Sequence, residues 1–582
     1  MRACALIAAV AISAAAAEPA VRYVPQPGLR IAGFWAERLD RLENAWIPHC
    51  WNRLGVRGGA FQRNLAEATM LALERHPERK DLADILEKFI ASDIAGQKPD
   101  GYVGRCNPHY VDYGRHELYG QGYFIEAAVR HMEFTKWRDR RYFDAAIRLG
   151  DHLDSVFGPP PRRTWTDGHP GVEKALLALA DAVDRWDGAG KGARYAALAR
   201  YFVLHQSDIP EYRHTYCQSH EPAVSMKEAV GHAVRGTYFY AGMAGAAWRC
   251  GDAALAEAVR RVFASAIDRK GYITGGVGGQ WAGEAFGPDY SLPNARAYLE
   301  GCAGCGMYDW CTEMAMLDGL ARSEDVRERV VYNNLLGTFS DDFSCYAYQN
   351  PPACANPRYP WHTLPCCVGN VPRVLEDFKN RMYAVSSDGA TLYLNHFIAS
   401  TDGEVEIGGT RVRLALETAY PLDGKVALTL TAERPVAFTL LVRFPNRTES
   451  ALYTAEPAVP HGYRSFEVKL VAACPHAASA TISFELPLPL QRVTCDVRVK
   501  ANRGLVAWQQ GPIVYAWEGK EFKTRVPYYA RLNHGGPSRV WMPADGTVPT
   551  AETESGDWFR NTGCPLDASN RKVTTSCFLK ER

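Results

Sequence analysis

The feature that most constrains the fold is an alternation in connection length. From residue 28 to about 385, apolar side chains recur at three and four positions, the helical period; Leu82, Ile85, Leu86, Phe89, Ile90 and Ile94 form one such run. Twelve runs are predicted: 28–53, 64–76, 81–96, 116–134, 141–157, 171–187, 193–206, 231–250, 252–269, 298–319, 324–340 and 372–384. Connections after the even-numbered runs are short, such as Pro77–Lys80, Gly188–Gly192 and Gly251 alone. From the third run on, those after odd-numbered runs are long: 97–115, 158–170, 207–230, 270–297 and 341–371. An antiparallel ring of helix pairs would show this alternation, with every long loop at one end. Six pairs make an (α/α)6 barrel, and its long-loop end is where a site belongs, since long ordered loops on a rigid scaffold commonly carry function. An irregular helical domain is the plainer alternative.

Near residue 390 the period changes to two. Thr391–Leu394, Val405–Ile407, Val412–Leu416, Val426–Leu430 and Phe438–Val442 read as strands, separated by turn signals such as Asp388-Gly389 and Asp423-Gly424. The expectation is a β-sandwich module following the barrel. The expected division is a signal peptide at 1–17, a helical catalytic domain at 18–386, a β-sandwich at 387–520 and a C-terminal extension at 521–582. Met1-Arg2, the apolar run Ala3–Ala17 and small residues at its end have the form of a secretory signal, so export to the periplasm or outside the cell is expected. No other stretch is apolar and long enough to span a bilayer. A formal net charge of +1 argues against a nucleic-acid partner. The 14 Trp and 29 Tyr suit a carbohydrate partner only weakly, because core packing accounts for most aromatics. No Gly-rich nucleotide fingerprint joins a strand to a helix. A monomer or homodimer is expected.

Chemistry concentrates on the long loops. Cys366-Cys367 closes the longest of them, and Glu300-Gly-Cys302-Ala-Gly-Cys305 opens the tenth run. Two adjacent thiols read either as disulfide partners or as thiolates on a soft metal, and zinc is the common divalent ion that thiolates favour. Glu300, Cys302, Cys366 and Cys367 make a four-donor set, with Cys305 an alternative to Cys302. The Gly-rich loop Gly275–Asn294 carries Glu284 and Asp289, either of which suits a general acid. His116, His169 and His232 each end a long loop at the start of a helical run. One such His is by default a cap or a packing residue, but three in register form a constellation.

These motifs resemble glycoside hydrolase family 127, the β-L-arabinofuranosidase family. The resemblance rests on Pro99-Asp-Gly-Tyr102, His116-Glu-Leu-Tyr119, Gly168-His-Pro170, Ala229-Val-Gly-His-Ala-Val-Arg235, Gly283-Glu284, Asp289-Tyr290, Glu300-x-Cys302, Tyr348-x-Asn-Pro351, Cys366-Cys367 with Asn370 and Arg373, and Gly504–Tyr515. It covers roughly residues 25–520. It implies an (α/α)6 barrel with β-sandwich modules, and zinc on Glu300, Cys302, Cys366 and Cys367. It also implies Cys366 as nucleophile, Glu284 as acid/base, and His116, His169, His232 and Tyr348 as sugar-holding residues. Gly301 stands where the family usually has Thr, Val368-Gly369 where Pro commonly precedes the Asn, and Tyr123 where many members have His. These departures bear on the sugar more than on the reaction. Two other readings are a polysaccharide lyase, which also fits a helical barrel with a β-module, and a non-catalytic sugar-binding protein with structural zinc.

Overall fold

A computed structural model of the chain describes residues 18–354, 357–446, 450–471, 478–518, 524–527, 538–544, 560–561 and 577–578. The signal-like segment 1–17 and most of the extension 521–582 lie outside the described residues. The chain is a helical domain followed by a β-rich region. Among the described residues, no helix is long and apolar enough to cross a membrane.

The helices are α1 (Gly33–Arg41), α2 (Ile47–Leu54), α3 (Ala60–Arg75), α4 (Lys80–Ala95), α5 (Glu117–Phe134), α6 (Arg141–Val156) and α7 (Val172–Trp186). They continue with α8 (Ala193–His205), α9 (Ala233–Arg249), α10 (Ala253–Arg269), α11 (Gly301–Asp318), α12 (Ala321–Arg329) and α13 (Cys366–Asp377). A π-helical segment, Leu42–Trp46, joins α1 to α2. Helices α3, α5, α7, α9, α11 and α13 pack in that order, and α13 packs back on α3. Burial explains the ring: every residue of α9 except Trp248 is buried, so this helix has no solvent face to offer. By contrast α6 buries one stripe, Tyr142, Phe143, Ala145, Ala146, Leu149, Gly150 and Leu153. Close approach within the ring needs Gly306, where a Cβ would fall 2.0 Å from Thr237 Oγ1.

Two helix starts differ most from the periodicity. The first run was expected from residue 28, but Arg30–Ile31 is a strand paired with Ser400–Ile407, and α1 starts at Gly33. The last was expected over 372–384. Instead α13 runs through Pro372. Proline has no N–H for the carbonyl four residues back, Val368 O, and the Trp46 indole donates to that oxygen instead at 2.9 Å. Cys366 and Cys367 are therefore in the first turn of a helix rather than ahead of it.

In the β-rich region one five-stranded sheet runs Val21–Tyr23, Tyr383–Ser386, Thr391–Leu394, Val436–Phe444, Gly462–Leu470. A second runs Ala478–Glu485, Lys425–Ala432, Thr410–Thr418, Ser400–Ile407, Arg30–Ile31. Residues 21–31 thus supply edge strands to both sheets, ahead of the helices in sequence. A further sheet contains Leu490–Cys495, Leu505–Gln510 and Ile513–Glu518, with Thr524–Pro527 and Ser538–Arg539 paired to the last of these. Ala353–Cys354 of the longest loop pairs with Ser538–Arg539, tying that loop to the β region.

A buried ionic cluster joins helices to strands. Arg443 bonds Asp325 at 2.6 Å and Glu328 at 3.0 Å, and His396 bonds Glu324 at 2.8 Å. Burial holds the His396 imidazole down from 6.5 to about 4, with Arg443 adding to it against the Glu324 hydrogen bond. The unfolded chain therefore takes up that proton first. Stability from this residue is full above pH 6.5 and is lost as the pH falls towards 4, by up to about 3 kcal/mol. In His396→Gln, the unfolding free energy measured between pH 7 and 4 is expected to fall less steeply than in the parent. Parallel curves would contradict the assignment.

Candidate active site and metal centre

Glu300 is the N-cap of α11, with Cys302 in its first turn, and Cys366-Cys367 begins α13. The two helices pack together, so both N-termini meet. One donor atom each from Glu300, Cys302, Cys366 and Cys367 lies within 4.8 Å of the others. Backbone bonds fix the approach: Gly301 N donates to Tyr348 O at 3.2 Å and Asn350 N to Leu299 O at 3.1 Å. Cys366 Sγ and Cys367 Sγ are 3.6 Å apart as free thiols, which does not support reading them as disulfide partners. Cys305 is outside the set, and burial pushes its thiol up.

Electrostatics show what such a cluster needs. Burial, followed by the Cys366 sulfur, pushes the Glu300 carboxyl well above the usual range. Burial also raises Cys367, and Cys366 is raised by its hydrogen bond to Cys302. Cys302 alone is lowered: burial opposes ionisation, but bonds from the Cys366 and Cys367 thiols outweigh it. Protons are thus favoured on Glu300, Cys366 and Cys367, three of four groups that would all be anionic beside a cation. Helix N-termini favour anionic side chains, and three sulfurs with one carboxylate match the soft donor set of zinc.

The three histidines sit as the loop pattern implies. His116 is the N-cap of α5 at φ 53°, His169 precedes α7, and His232 caps α9 by accepting Arg235 N–H at 3.4 Å. Ring centroids of His116 and His169 are 5.6 Å apart, and those of His169 and His232 6.3 Å. Asp167 holds two of these loops together, accepting His169 N–H at 2.8 Å and Tyr119 N–H at 3.1 Å. Burial, helped by Arg235, lowers His116 to about 4 and holds His169 well below its ordinary value. Both rings are neutral at pH 7, suited to hydroxyl groups.

Glu284 Oε2 lies 2.8 Å from His232 Nε2. His232 accepts at Nδ1, so Nε2 carries the hydrogen. Glu284 has φ 51°, and its neighbour Ala285 bridges to both Gln280 and His232. A non-glycine residue there is strained, as functional residues often are. Burial works against ionisation of Glu284, but the His232 bond, with help from Tyr298, leaves its carboxyl below the usual range. Donor atoms of His232, Glu284 and Glu300 lie within 4.8 Å of one another, which joins this carboxylate to the cluster. Asp289, the other acidic candidate of the loop, is paired with Arg269 at 3.1 Å and Lys270 at 3.5 Å instead. Tyr348 sits on the cluster itself, its hydroxyl donating to Glu300 at 2.9 Å and standing 3.0 Å from Cys366 Sγ.

Sequence reasoning missed Tyr298, which bonds Glu284, and Tyr216, whose ring lies 5.2 Å from His232 and under the Arg235 guanidinium. Tyr298 is two residues before Glu300, but Leu299 between them has φ 44°, so alternation along an extended strand does not find it. Tyr216 had no signal in the sequence either.

The helical domain carrying this site matches a glycoside hydrolase catalytic domain, and the match places the chain in that class. Residues 30–380 match the profile of the β-L-arabinofuranosidase, GH127 catalytic domain, and residues 490–543 that of the glycoside hydrolase family 127 C-terminal domain. The chain belongs to glycoside hydrolase family 127. It is 29% identical to the non-reducing end β-L-arabinofuranosidase of Bifidobacterium longum subsp. longum, across 78% of this chain and 73% of that protein. It resembles the solved GH127 β-L-arabinofuranosidase of Geobacillus stearothermophilus T6, with TM-score 0.77, 26% identity, and coverage of 88% of this chain and 99% of the other. A second solved GH127 β-arabinofuranosidase gives TM-score 0.78, 26% identity, and 90% and 98% coverage. Membership of a hydrolase family leaves the lyase reading without support.

Proposed function

We propose that this chain is an exported, zinc-dependent, retaining exo-glycosidase that releases β-L-arabinofuranose or a related sugar from plant-type glycans. The observation that carries the proposal is the convergence of Glu284 and the Glu300–Cys302–Cys366–Cys367 set through Glu300. In this reading the ring of α3, α5, α7, α9, α11 and α13 is the inner layer of an (α/α)6 barrel, and the two five-stranded sheets form a β-sandwich. The relatives' names supply the sugar.

Glu300, Cys302, Cys366 and Cys367 would hold zinc. Bound zinc keeps these thiols deprotonated at neutral pH. His116, His169 and His232, with Tyr348, orient the furanose. Glu284 gives a proton to the leaving oxygen while Cys366 Sγ attacks the anomeric carbon; the C–O bond breaks and a C–S bond forms. Glu284 then takes a proton from water, the water oxygen attacks the same carbon, and the C–S bond breaks. Two displacements retain configuration, the logic of a retaining glycosidase with sulfur in place of the second carboxylate. The first step needs protonated Glu284. A sugar hydroxyl that takes over the His232 N–H removes the bond that favours the carboxylate, and burial then raises the pKa.

A panel of synthetic glycosides, β-L-arabinofuranosides first, with product configuration followed by NMR, tests the reading; an inverted product would contradict it. Removing metal with a strong chelator is expected to abolish activity, and zinc alone to restore it. Full activity in metal-free protein would contradict the zinc assignment.

A further inference from the structure

Resting on the zinc reading above, we propose that Asn370 and Arg373 are positioning residues for the ligand Cys302, acting through one oriented amide. Cys366, Cys367, Asn370 and Arg373 recur along α13 at helical spacing, and Cys302, Cys305 and Asp309 do so along α11. Residues three or four apart share a helix face, so two ladders meet across the helix pair.

The amide of Asn370 links the two ladders. Arg373 donates twice to Asn370 Oδ1, from Nε at 3.1 Å and from Nη2 at 3.0 Å. A guanidinium has no acceptor, so this fork dictates which way the amide faces. Asn370 Nδ2 must then point away from Arg373, and it donates to Tyr238 OH at 2.7 Å and to Cys302 Sγ at 3.5 Å. Below, Arg373 pairs with Asp309 at 3.1 Å, and Lys174 reaches Asp309 at 3.0 Å and also pairs with Glu126. Asn370 is completely buried and Arg373 nearly so, so the bonds at the amide are shielded from bulk water. A cavity of about 180 Å³ lined by Glu67, Glu126, Arg130, Lys174, Asp309 and Arg373 lies at the foot of the ladder.

An N–H aimed at a ligating sulfur stabilises its anionic form and fixes its direction, and such supporting groups weigh on metal affinity. The ladder's work is therefore done at Cys302, away from the sugar.

The test is zinc affinity, measured with zinc alone by competition against a chromogenic chelator, in the full chain. Asn370→Asp keeps the acceptor for Arg373 and removes the donor to Cys302. Arg373→Lys keeps the charge and removes the fork. Zinc dissociation constants are expected to rise about 10- to 100-fold in Asn370→Asp, with a rise also in Arg373→Lys. KM for the glycoside should stay at the parental value, while the melting temperature of the zinc-free protein falls modestly, because Asp at 370 also loses the donor to Tyr238. Zinc affinity equal to the parent's in both variants would overturn the inference and leave the zinc reading standing. A fall in zinc-free melting temperature without a change in zinc affinity would make the ladder structural and overturn it too. A parent that binds no zinc would overturn both.

Discussion

Replacing Cys366 by Ser is expected to lower kcat by at least about 10⁴-fold, the scale on which removal of a nucleophile acts, or about 5 kcal/mol of barrier. The fold should survive. Cys366 is partly exposed at the first position of α13, where serine adds no volume and suits a helix start. Serine fails at the reaction because its hydroxyl stays protonated where a thiol beside zinc is a thiolate. Turnover of an aryl β-L-arabinofuranoside, alongside circular dichroism, checks this. Substantial retained activity would remove Cys366 from its role.

Glu284→Gln is expected to separate the two chemical steps. Gln can keep a bond to His232 and Tyr298, so the strained turn is undisturbed, but it neither gives nor takes a proton. On glycosides with poor leaving groups the loss should be about 10²- to 10⁴-fold, the range of general acid–base catalysis. On activated aryl glycosides the first step needs no acid, so an initial burst of phenol should precede slow turnover. Added azide, a nucleophile that needs no general base, should speed the second step. Equal losses on both substrate types, without burst, would contradict the acid/base role.

Much of this architecture is legible in sequence because it is written in spacing. Single-residue Gly251 against the long loop 270–297 already separates the two ends of the helical domain. The strands Thr391–Leu394 and Val412–Leu416 follow from alternation alone, since each faces water on one side. Other parts depend on contacts that no local pattern carries. Val21–Tyr23 and Arg30–Ile31 are too short to show a period, and their partners lie more than 350 residues away. Pro372 reads as a boundary until Trp46, distant in sequence, is seen to satisfy Val368 O. Glu284 and Asp289 share one loop, and only Arg269 and Lys270 take Asp289 out of contention. Cys302 and Cys305 share one CxxC, and the packing of α11 on α13 turns only Cys302 towards the Cys366–Cys367 pair.

The central claim is that a bond forms between sugar carbon and the sulfur of Cys366. The most direct measurement is rapid acid quench of Glu284→Gln during turnover of an activated β-L-arabinofuranoside, followed by peptide mass spectrometry. The account predicts one pentosyl group on the peptide containing Cys366-Cys367, located on Cys366 and absent when Cys366 is also replaced by Ser. A pentosyl group on a carboxylate such as Glu300, or product of inverted configuration with no adduct at all, would contradict it.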